Sequence, residues 1–433
     1  MTESSRKGII GAISKTVSKA TARTEPETPI SDTILALDIG TEFIKAVIAR
    51  QNKDSSLSII GVGKARQAIG NMYAGAIADI PAVVGACEKA LSTAEQQAGV
   101  TCKLAVVGIA GELVKGNTST IRYRRKNGNK PITEQEMALI IKRVQDKAGE
   151  KAKQEIAIET DNEEVEIRLI NSAIVSLTID GYKVSNPIGF KGSDLAIQFY
   201  TAFAPLVHIS AIEKVCAELN LDLLAVAVEP FAVCRACLGD DLDSNFSAIV
   251  MDIGGGTTDI AIVDDGGVEG TKMFGIGGRS FTHQIATRLG VDFDTAEKFK
   301  LEPTKLQAKD RATLEEAIDT NLGVWLSGVQ IALADTGNLE MLPSRILLCG
   351  GGAGLTKLQE NLATSDWYKD LPFNRRPIIH LLDDPDIPGI NNSTDTDLDY
   401  SFITAFGLLR VALDTLAGEE ITLRDKLAKL LQN

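Results

Sequence analysis

Apolar and polar residues alternate along most of this chain in short blocks, as they do in proteins that mix strands with helices. An amphipathic helix is predicted from Thr133 to about Lys153, because Thr133 and Glu136 have the spacing of a capping box. Two half-buried β-rich stretches are predicted after it, at Val165–Tyr182 and Leu195–Phe203. Earlier β-type runs predict strands at Ile34–Ala36, Ala46–Ile48, Leu57–Val62 and Leu104–Ile109.

One hairpin pattern occurs twice. Residues 36–40 read Ala-Leu-Asp-Ile-Gly and residues 250–254 read Val-Met-Asp-Ile-Gly. Each copy continues into a turn of small residues and a second β-type run. Two hairpins of one design at the starts of two halves predict a duplicated, two-lobed fold with a cleft between the lobes.

Both hairpin turns have the composition of phosphate-binding loops, because glycine lets backbone N–H groups approach a polyphosphate closely. An aspartate precedes each turn, Asp38 and Asp252, where a bridging Mg²⁺ or its water shell best explains a carboxylate beside phosphate. Lys45 lies across the first hairpin and could reach phosphate oxygens. The turn residues are Gly40 and Thr41 in the first copy and Gly254, Gly255, Gly256, Thr257 and Thr258 in the second.

A third glycine cluster follows the buried-type strand Arg345–Cys349 and opens a helix pattern, where a nucleoside or α-phosphate could rest on the helix N-terminus. A single cluster of this kind is usually only a tight turn, but three clusters with two repeated aspartates favour a nucleotide site. Neither a P-loop motif nor a dinucleotide-binding Gly-x-Gly-x-x-Gly motif is present. The cluster consists of Gly350, Gly351, Gly352, Ala353 and Gly354.

Composition narrows the function classes further. The chain has 45 basic and 58 acidic residues, a net charge of −13, which argues against a nucleic-acid partner. Without an uninterrupted apolar run of spanning length, no membrane-spanning helix or secretory signal is expected. Six irregularly placed cysteines indicate reduced, buried thiols in a cytoplasmic protein. Cys234 and Cys237 have zinc or redox spacing, but we interpret them as packed helix residues because no second pair is near.

Taken in order, these motifs resemble those of the actin, sugar-kinase and heat-shock-chaperone superfamily. Asp38–Thr41 with Lys45 looks like its phosphate-1 motif, Asp252–Asp259 like phosphate-2, and Gly350–Ala353 like the adenosine motif. Glu229-Pro230 and Ala405–Leu408 resemble the two segments that connect the lobes in that superfamily. Within the superfamily, the chain looks most like the FtsA branch of bacterial cell-division actins, at Val107–Gly111, Pro131–Glu134, Gly275–Gly278 and Ala296–Lys300.

The resemblance implies an α/β class: a duplicated, actin-like (ribonuclease H-like), two-lobed ATPase fold with a small α/β domain inserted in the first lobe. The implied division is a basic amphipathic segment and linker (1–32), the first lobe (33–110 and 206–243), the inserted domain (111–205), the second lobe (244–416) and a C-terminal amphipathic helix (417–433).

The resemblance also implies ATP and Mg²⁺ as cofactors and slow Mg²⁺-dependent ATP hydrolysis. Asp38 and Asp252 would hold Mg²⁺ through water, and the two hairpin turns with Lys45 would cradle phosphates. Glu229 would orient the attacking water. The adenosine would lie against Glu297, Lys300 and the third glycine cluster, Gly350, Gly351, Gly352 and Ala353.

By resemblance, such a protein would link the FtsZ ring to the inner face of the cell membrane, form filaments at the septum and remain cytoplasmic and peripheral. Two apolar stripes beside basic residues could contact an anionic membrane, and which one is the anchor is left open. The N-terminal stripe is Ile9, Ile10, Ile13 and Val17, and the C-terminal stripe is Leu423, Leu427, Leu430 and Leu431.

Several features leave alternatives. The short segment between Lys300 and Arg345 resembles PilM, a scaffold of type IV pilus assembly, and a small-molecule kinase of the same fold is a third hypothesis. The acidic stretch from Asp383 to Asp399 predicts a solvated loop or, as a weaker alternative, a metal site. The basic run at residues 122–126 predicts a solvated hairpin or a contact with an acidic partner.

Overall fold

The computed structural model describes residues 32–54, 56–184, 186–238, 246–334 and 339–430, with side chains to residue 417. Both predicted membrane-contacting stripes therefore lie outside the described side chains. The strands are β1 (Thr33–Ile39), β2 (Phe43–Gln51), β3 (Leu57–Arg66), β4 (Met72–Tyr73), β5 (Ala76–Ile77), β6 (Leu104–Ile109), β7 (Lys115–Arg124), β8 (Ile167–Ile179), β9 (Tyr182–Lys183), β10 (Asp194–Pro205), β11 (Asp222–Val228), β12 (Ala248–Ile253), β13 (Thr258–Asp264), β14 (Gly267–Phe274), β15 (Arg345–Cys349), β16 (Ile378–Leu381) and β17 (Ile390–Asn392). The helices are α1 (Ile80–Ala98), α2 (Glu134–Thr160), α3 (Leu206–Glu218), α4 (Glu229–Leu238), α5 (Gly278–Leu289), α6 (Phe293–Leu301), α7 (Ala308–Ala334), α8 (Thr356–Thr364) and α9 (Ile403–Leu430).

The two halves repeat one strand topology. In the first sheet the order is β11-β6-β1-β2-β3-β17, and the corresponding part of the second sheet runs β16-β15-β12-β13-β14. In each half, three consecutive strands pair antiparallel: β1–β3 in the first and β12–β14 in the second. Two further strands then join in parallel on the other side of the first of these, β6 and β11 beside β1, and β15 and β16 beside β12. The duplication predicted from the repeated hairpins is confirmed.

Helices α4 and α9 lie between the two sheets. Alternate side chains of β12 and β13 explain this layering, because successive residues of a strand face opposite sides. Val250 and Ala261 belong to the core of the first lobe, whereas Met251 and Ile260 belong to a separate core under α5, α7 and α8. The second sheet is therefore buried on both faces, and α4 and α9 form the layer between the two sheets.

The strands of the predicted inserted domain extend the second sheet. Its full order is β16-β15-β12-β13-β14-β7-β10-β8-β9. The junction is narrow, since β14 and β7 pair only at Gly270 with Asn117 and at Thr271 with Gly116. Helix α2 packs on this part of the sheet around a third apolar core that includes Ile140, Val144 and Phe199.

The predicted cap of α2 is half confirmed. Thr133 is the N-cap, and its side chain accepts a hydrogen bond from the Glu136 backbone N–H at 3.2 Å. The Glu136 carboxylate does not complete the box, because both of its oxygens accept hydrogen bonds from the buried Arg125 guanidinium at 2.8 Å. Helix α2 continues to Thr160, beyond the predicted end, and stops where Asp161 adopts a left-handed φ of 50°.

The acidic stretch after Asp383 is more ordered than a solvated loop. Its residues Ile390–Asn392 form β17, which pairs in parallel with β3 at the edge of the first sheet. Several of its aspartates accept hydrogen bonds from nearby backbone N–H groups, as Asp399 does from Ser401. Among the described residues no group of three metal-ligating side chains occurs, so the metal alternative is unsupported here.

One helix of the described chain is long and apolar enough to cross a membrane by length and composition. Its window, Tyr400–Ala417, covers the start of α9, and 72% of it is buried inside the protein. This burial is that of a core helix between two sheets.

Candidate functional site: the cleft between the duplicated hairpins

Asp38 and Lys45 form a buried ion pair in the first hairpin. They lie directly opposite each other on β1 and β2, so their side chains share one face of the sheet. The Lys45 Nζ donates to Asp38 Oδ2 at 2.7 Å. Burial by itself would lower the pKa of Lys45, but the carboxylates of Asp38, Asp252 and Glu229 outweigh it and raise that pKa. Lys45 is therefore a permanent cation inside the cleft.

Asp252 ends the corresponding strand of the second hairpin and is nearly buried. Its Oδ2 accepts a hydrogen bond from the Thr404 hydroxyl, on the second helix between the lobes. Burial raises the pKa of Asp252. Gly350 makes this arrangement possible, because its φ is +83° and a Cβ there would lie 2.1 Å from Asp252 Oδ1. The third glycine cluster thus packs against the metal-site candidate of the second hairpin.

Asp259, the last residue of the phosphate-2 motif, is also a residue of this site. It pairs with Asp252 across β12 and β13, and only 2% of it is exposed. Its Oδ2 accepts a hydrogen bond from Thr257 Oγ1 at 3.1 Å, while its buried Oδ1 has no hydrogen-bond partner. Burial and then Asp252 raise the pKa of Asp259 well above its usual value. The signal that could have found it is its place in the repeat, where it corresponds to Lys45.

Glu229 is the first residue of α4 and its carboxylate is buried in the same cleft. Gly108 at the end of β6 leaves it room, since a Cβ on Gly108 would lie 3.0 Å from Glu229 Oε1. Burial, followed by the charges of Asp38, Asp259 and Asp252, raises the pKa of Glu229 well above its usual value. The structure thus brings four carboxyl groups and the Lys45 ammonium into mutual electrostatic range.

The two glycine-rich turns touch each other across the cleft. A Cβ on Gly256 would lie 2.9 Å from the Thr41 side chain, and one on Gly255 would lie 2.8 Å from Cβ of Glu42. Helix α5 begins on the second turn, because the N–H groups of Gly278 and Arg279 donate to the carbonyls of Gly254 and Gly255 at 2.9 and 2.8 Å. Glycine is required here by close approach of the two backbones.

The hydroxyl of Thr258 is committed to the core of the second lobe. It donates to the Ile276 carbonyl at 2.7 Å and accepts from Trp325 Nε1 at 2.9 Å. A contact from Thr258 to phosphate would therefore have to come from its backbone. By contrast, Gly40 lies at the cleft, with its Cβ position 3.6 Å from Asp38 Oδ1.

Glu297 and Lys300 reach the start of α5 from α6. Lys300 Nζ donates to the Gly278 carbonyl at 3.1 Å and to Thr282 Oγ1 at 2.8 Å, and it pairs with Glu297 Oε2 at 2.8 Å. The Cβ position of Gly278 lies 3.8 Å from Cα of Gly352. The structure therefore gathers both α6 residues and the third glycine cluster, Gly350 to Ala353, on one side of the cleft.

A network of four charged side chains crosses from one lobe to the other. Glu42, beside the first turn, pairs with Arg66 of β3 at 2.7 Å and with Arg279 of α5 at 2.5 Å. Arg66 also pairs with Asp294 of α6 at 2.9 Å. We call these four residues the cleft latch. Their long-range pairing left no sequence signal.

The two helices that connect the lobes cross at very short range. A Cβ on Gly407 of α9 would lie 2.2 Å from the Ala232 carbonyl oxygen of α4. Nearby, Arg235 Nε donates to Asp414 Oδ2 at 2.8 Å. Cys234 is buried on α4, Cys237 is half-buried there, and both thiols are free, as predicted for packed helix cysteines.

Known proteins with similar sequences are cell division proteins. The family description "Cell division protein FtsA" matches residues 249–363, which hold the second hairpin and the third glycine cluster. The cell division protein FtsA of Pseudomonas aeruginosa is 25% identical over 378 residues, covering 81% of this chain and 86% of that protein. FtsA of Enterococcus hirae is 26% identical, over 74% and 73% of the two chains. Over most of its length this chain is similar to the cell division protein FtsA.

Among solved structures, this FtsA-like chain shares its fold with the PilM–PilN type IV pilus biogenesis complex. The TM-score is 0.65 at 16% identity, covering 89% of this chain and 99% of that one. At such identity the likeness shows the fold alone. The predicted actin-like fold class is confirmed. The predicted cell-division role is supported by FtsA relatives that match most of the chain. For the pilus alternative, the similarity is one of fold only.

Proposed function

We propose that this FtsA-like protein binds Mg²⁺–ATP between its two lobes and uses that binding in bacterial cell division. The observation that carries the proposal is the meeting of the duplicated hairpins, with their touching glycine turns, around four carboxyl groups and one ammonium. Carboxyl groups gathered in a buried cleft are unfavourable unless cations pair with them. A ligand combining a divalent cation with polyphosphate would use both signs of charge.

The donor set fits Mg²⁺, a cation that prefers oxygen ligands and keeps several of its own waters. Asp259 Oδ1 is buried without a partner, and Asp38 and Asp252 lie at the ends of their strands on either side of the cleft. No three metal-ligating side chains in the described ranges are close enough to hold an ion directly. In this proposal Asp38 and Asp252 would hold Mg²⁺ through water.

The phosphates would rest on the glycine turns, with Lys45 supplying positive charge from below. The turns touch in this structure, so they would separate slightly to admit the phosphates. The adenosine would lie between Lys300 and the third glycine cluster. Mg²⁺ would supply neutralisation of charge on the phosphate oxygens.

Hydrolysis by this site would be slow. Glu229 would orient the attacking water, and a general base works best when its pKa lies near the working pH and its carboxylate is free to accept. Burial, followed by the charges of Asp38, Asp259 and Asp252, raises the pKa of Glu229, and a cation entering the cleft would oppose that rise. We infer that nucleotide binding, more than turnover, sets the state of the protein.

Further by resemblance, we propose that the protein contacts an FtsZ-like division protein, forms filaments and lies on the inner face of the cell membrane. The inserted segment at residues 111–205 would supply a filament contact. Either terminal stripe could reach anionic lipid. Sedimentation with anionic liposomes of chains lacking residues 1–24 or 419–433 would assign the anchor, since only loss of the anchor should reduce binding.

The test of the nucleotide proposal is calorimetry with ATP, in Mg²⁺ and in excess chelator. The wild-type protein should bind ATP in Mg²⁺ and bind it at least tenfold more weakly in chelator. Asp252→Asn should lose most of this difference, whereas Asp370→Asn, at an exposed site, should keep it. Equal ATP affinity in Mg²⁺ and in chelator would contradict the proposal that Mg²⁺ takes part in binding. Absence of ATP binding would contradict the proposal that the cleft binds nucleotide.

The second candidate function is a pilus scaffold, which the short segment between Lys300 and Arg345 suggests by its resemblance to PilM. The two roles predict different partners. Co-sedimentation with polymerised FtsZ from the same organism would support the division role, and its absence would favour the scaffold.

A further inference from the structure

A groove lies in the inserted segment, between the part of strand β7 that β14 leaves open and helix α2. Its volume is about 330 Å³. One wall is β7 at Thr120–Tyr123, and the other is α2 at Ile140, Arg143, Val144 and Lys147. It does not share a lining residue with the nucleotide cleft.

The β7 wall of this groove is an unpaired strand edge. On one side β7 pairs with β10 along its whole length, from Lys115 to Arg124. On the other side β14 pairs with it only at Gly116 and Asn117. In the described part of the chain no strand lies beside Thr120–Arg124 on that side. An open strand edge next to a helix is a geometry in which an extended peptide can add as a further strand.

The groove has an apolar floor and a basic rim. Ile140 and Val144 are buried and Ile121 is half-buried, so apolar side chains from an added strand would find apolar contacts. Arg122, Arg143 and Lys147 are exposed around them. The whole chain has a net charge of −13, yet the charged side chains that line this groove are all positive.

These three cations have no carboxylate partner within 4 Å among the described residues. The neighbouring arginines of the same basic run differ in this respect. Arg125 is buried against Glu136, and Arg124 lies 3.8 Å from Asp194. Among the described residues, Arg122, Arg143 and Lys147 are thus available to pair with carboxylates of a ligand.

We propose that this groove binds an extended acidic peptide segment of a partner protein, which adds as a strand to the free edge of β7. Its alternate apolar side chains would contact Ile121, Ile140 and Val144, and its carboxylates would pair with Arg122, Arg143 and Lys147. The concave shape, the apolar floor and the unpaired backbone favour a peptide over a membrane or nucleic acid, which would need only surface charge.

The experiment measures fluorescence anisotropy of a labelled octapeptide of alternating Glu and Val with the full chain. A second octapeptide has the same composition but groups its Glu and Val residues into two blocks. The wild-type protein should bind the alternating peptide at least tenfold more tightly than the blocked one, and added salt should weaken this binding.

Two charge-reversed variants make the test specific. Arg143→Glu/Lys147→Glu should bind the alternating peptide at least tenfold more weakly than the wild type. Lys89→Glu/Lys153→Glu changes the net charge equally at exposed positions away from the groove and should leave binding unchanged. Equal binding of the two peptides, or equal loss in both variants, would overturn the proposal. So would a groove variant that keeps peptide binding but no longer binds phosphatidylglycerol vesicles.

Discussion

Lys45 and Asp259 occupy the same position in the two duplicated hairpins and carry opposite charges. Lys45 lies opposite Asp38 across β1 and β2, and Asp259 lies opposite Asp252 across β12 and β13. The first hairpin therefore neutralises its own aspartate, while the second places two carboxyl groups side by side. Of the two hairpins, the second therefore carries the excess of carboxyl groups.

This relationship predicts how stability depends on pH. The pKa of Asp259 is raised in the folded protein above its ordinary 3.8, so the native state holds that proton more tightly than the unfolded state. The stability contributed by protonation is fully present below pH 3.8 and is lost as pH rises through the folded value. Without nucleotide, Asp259→Asn should therefore raise the free energy of unfolding at pH 7 by about 1–3 kcal/mol, the cost of an unsatisfied buried group.

Urea unfolding of both proteins between pH 4 and pH 8 would measure this. The advantage of Asp259→Asn should shrink towards acid, and the exposed Asp370→Asn should show no such trend. An advantage that stays constant with pH would contradict the assignment.

Glu229→Gln should separate nucleotide binding from hydrolysis. Gln keeps the size of the side chain against Gly108 but cannot take a proton from water, so turnover should fall at least about a hundredfold. ATP affinity should stay within about threefold, or improve, because one negative charge leaves the cleft. Phosphate release and calorimetry on the same preparation would give both numbers. Unchanged turnover would show that Glu229 has no part in hydrolysis.

The cleft latch should resist separation of the lobes. Glu42→Gln weakens the pairs to both Arg66 and Arg279, of which the latter is largely shielded from water, with side chains 16% and 13% exposed. A hydrogen bond to a charged group contributes about 1.5–3 kcal/mol, and partial exposure to water reduces that contribution. We therefore expect the free energy of unfolding to fall by about 1–2 kcal/mol and nucleotide release to become faster. Stopped-flow release of a fluorescent ATP analogue would detect the change.

Arg66→Gln is the graded control for the latch. The Arg66 side chain is 45% exposed, so its loss should cost less than about 1 kcal/mol. If Arg66→Gln and Glu42→Gln release nucleotide equally fast, the shielded Glu42–Arg279 pair is not what holds the lobes.

Two glycine substitutions should have opposite effects on stability. Gly407→Ala would place a methyl group 2.2 Å from the Ala232 carbonyl oxygen and should force α4 and α9 apart, at a cost of about 1–3 kcal/mol. Gly85→Ala, inside α1 and with open space at its Cβ position, should stabilise the protein by up to about 1 kcal/mol. Thermal unfolding would rank the three proteins, and a neutral Gly407→Ala would mean that the helix crossing can relax.

Local pattern determined the elements of this fold. The strands β1, β2, β3 and β6, the N-cap of α2 at Thr133 and the glycine turns could be predicted because alternation, side-chain capping and the small size of glycine act over a few residues. The repeated hairpin added a long-range conclusion, because two copies of one motif imply two copies of one topology.

Only the tertiary structure decided which distant side chains meet. Glu136 has the spacing of a capping box, yet it pairs with Arg125, because strand β7 brings a guanidinium to the same place. Asp259, Glu42 and Arg279 entered the candidate site through pairing between strands and between lobes. Such contacts depend on the path and twist of the whole chain, which short-range patterns do not encode.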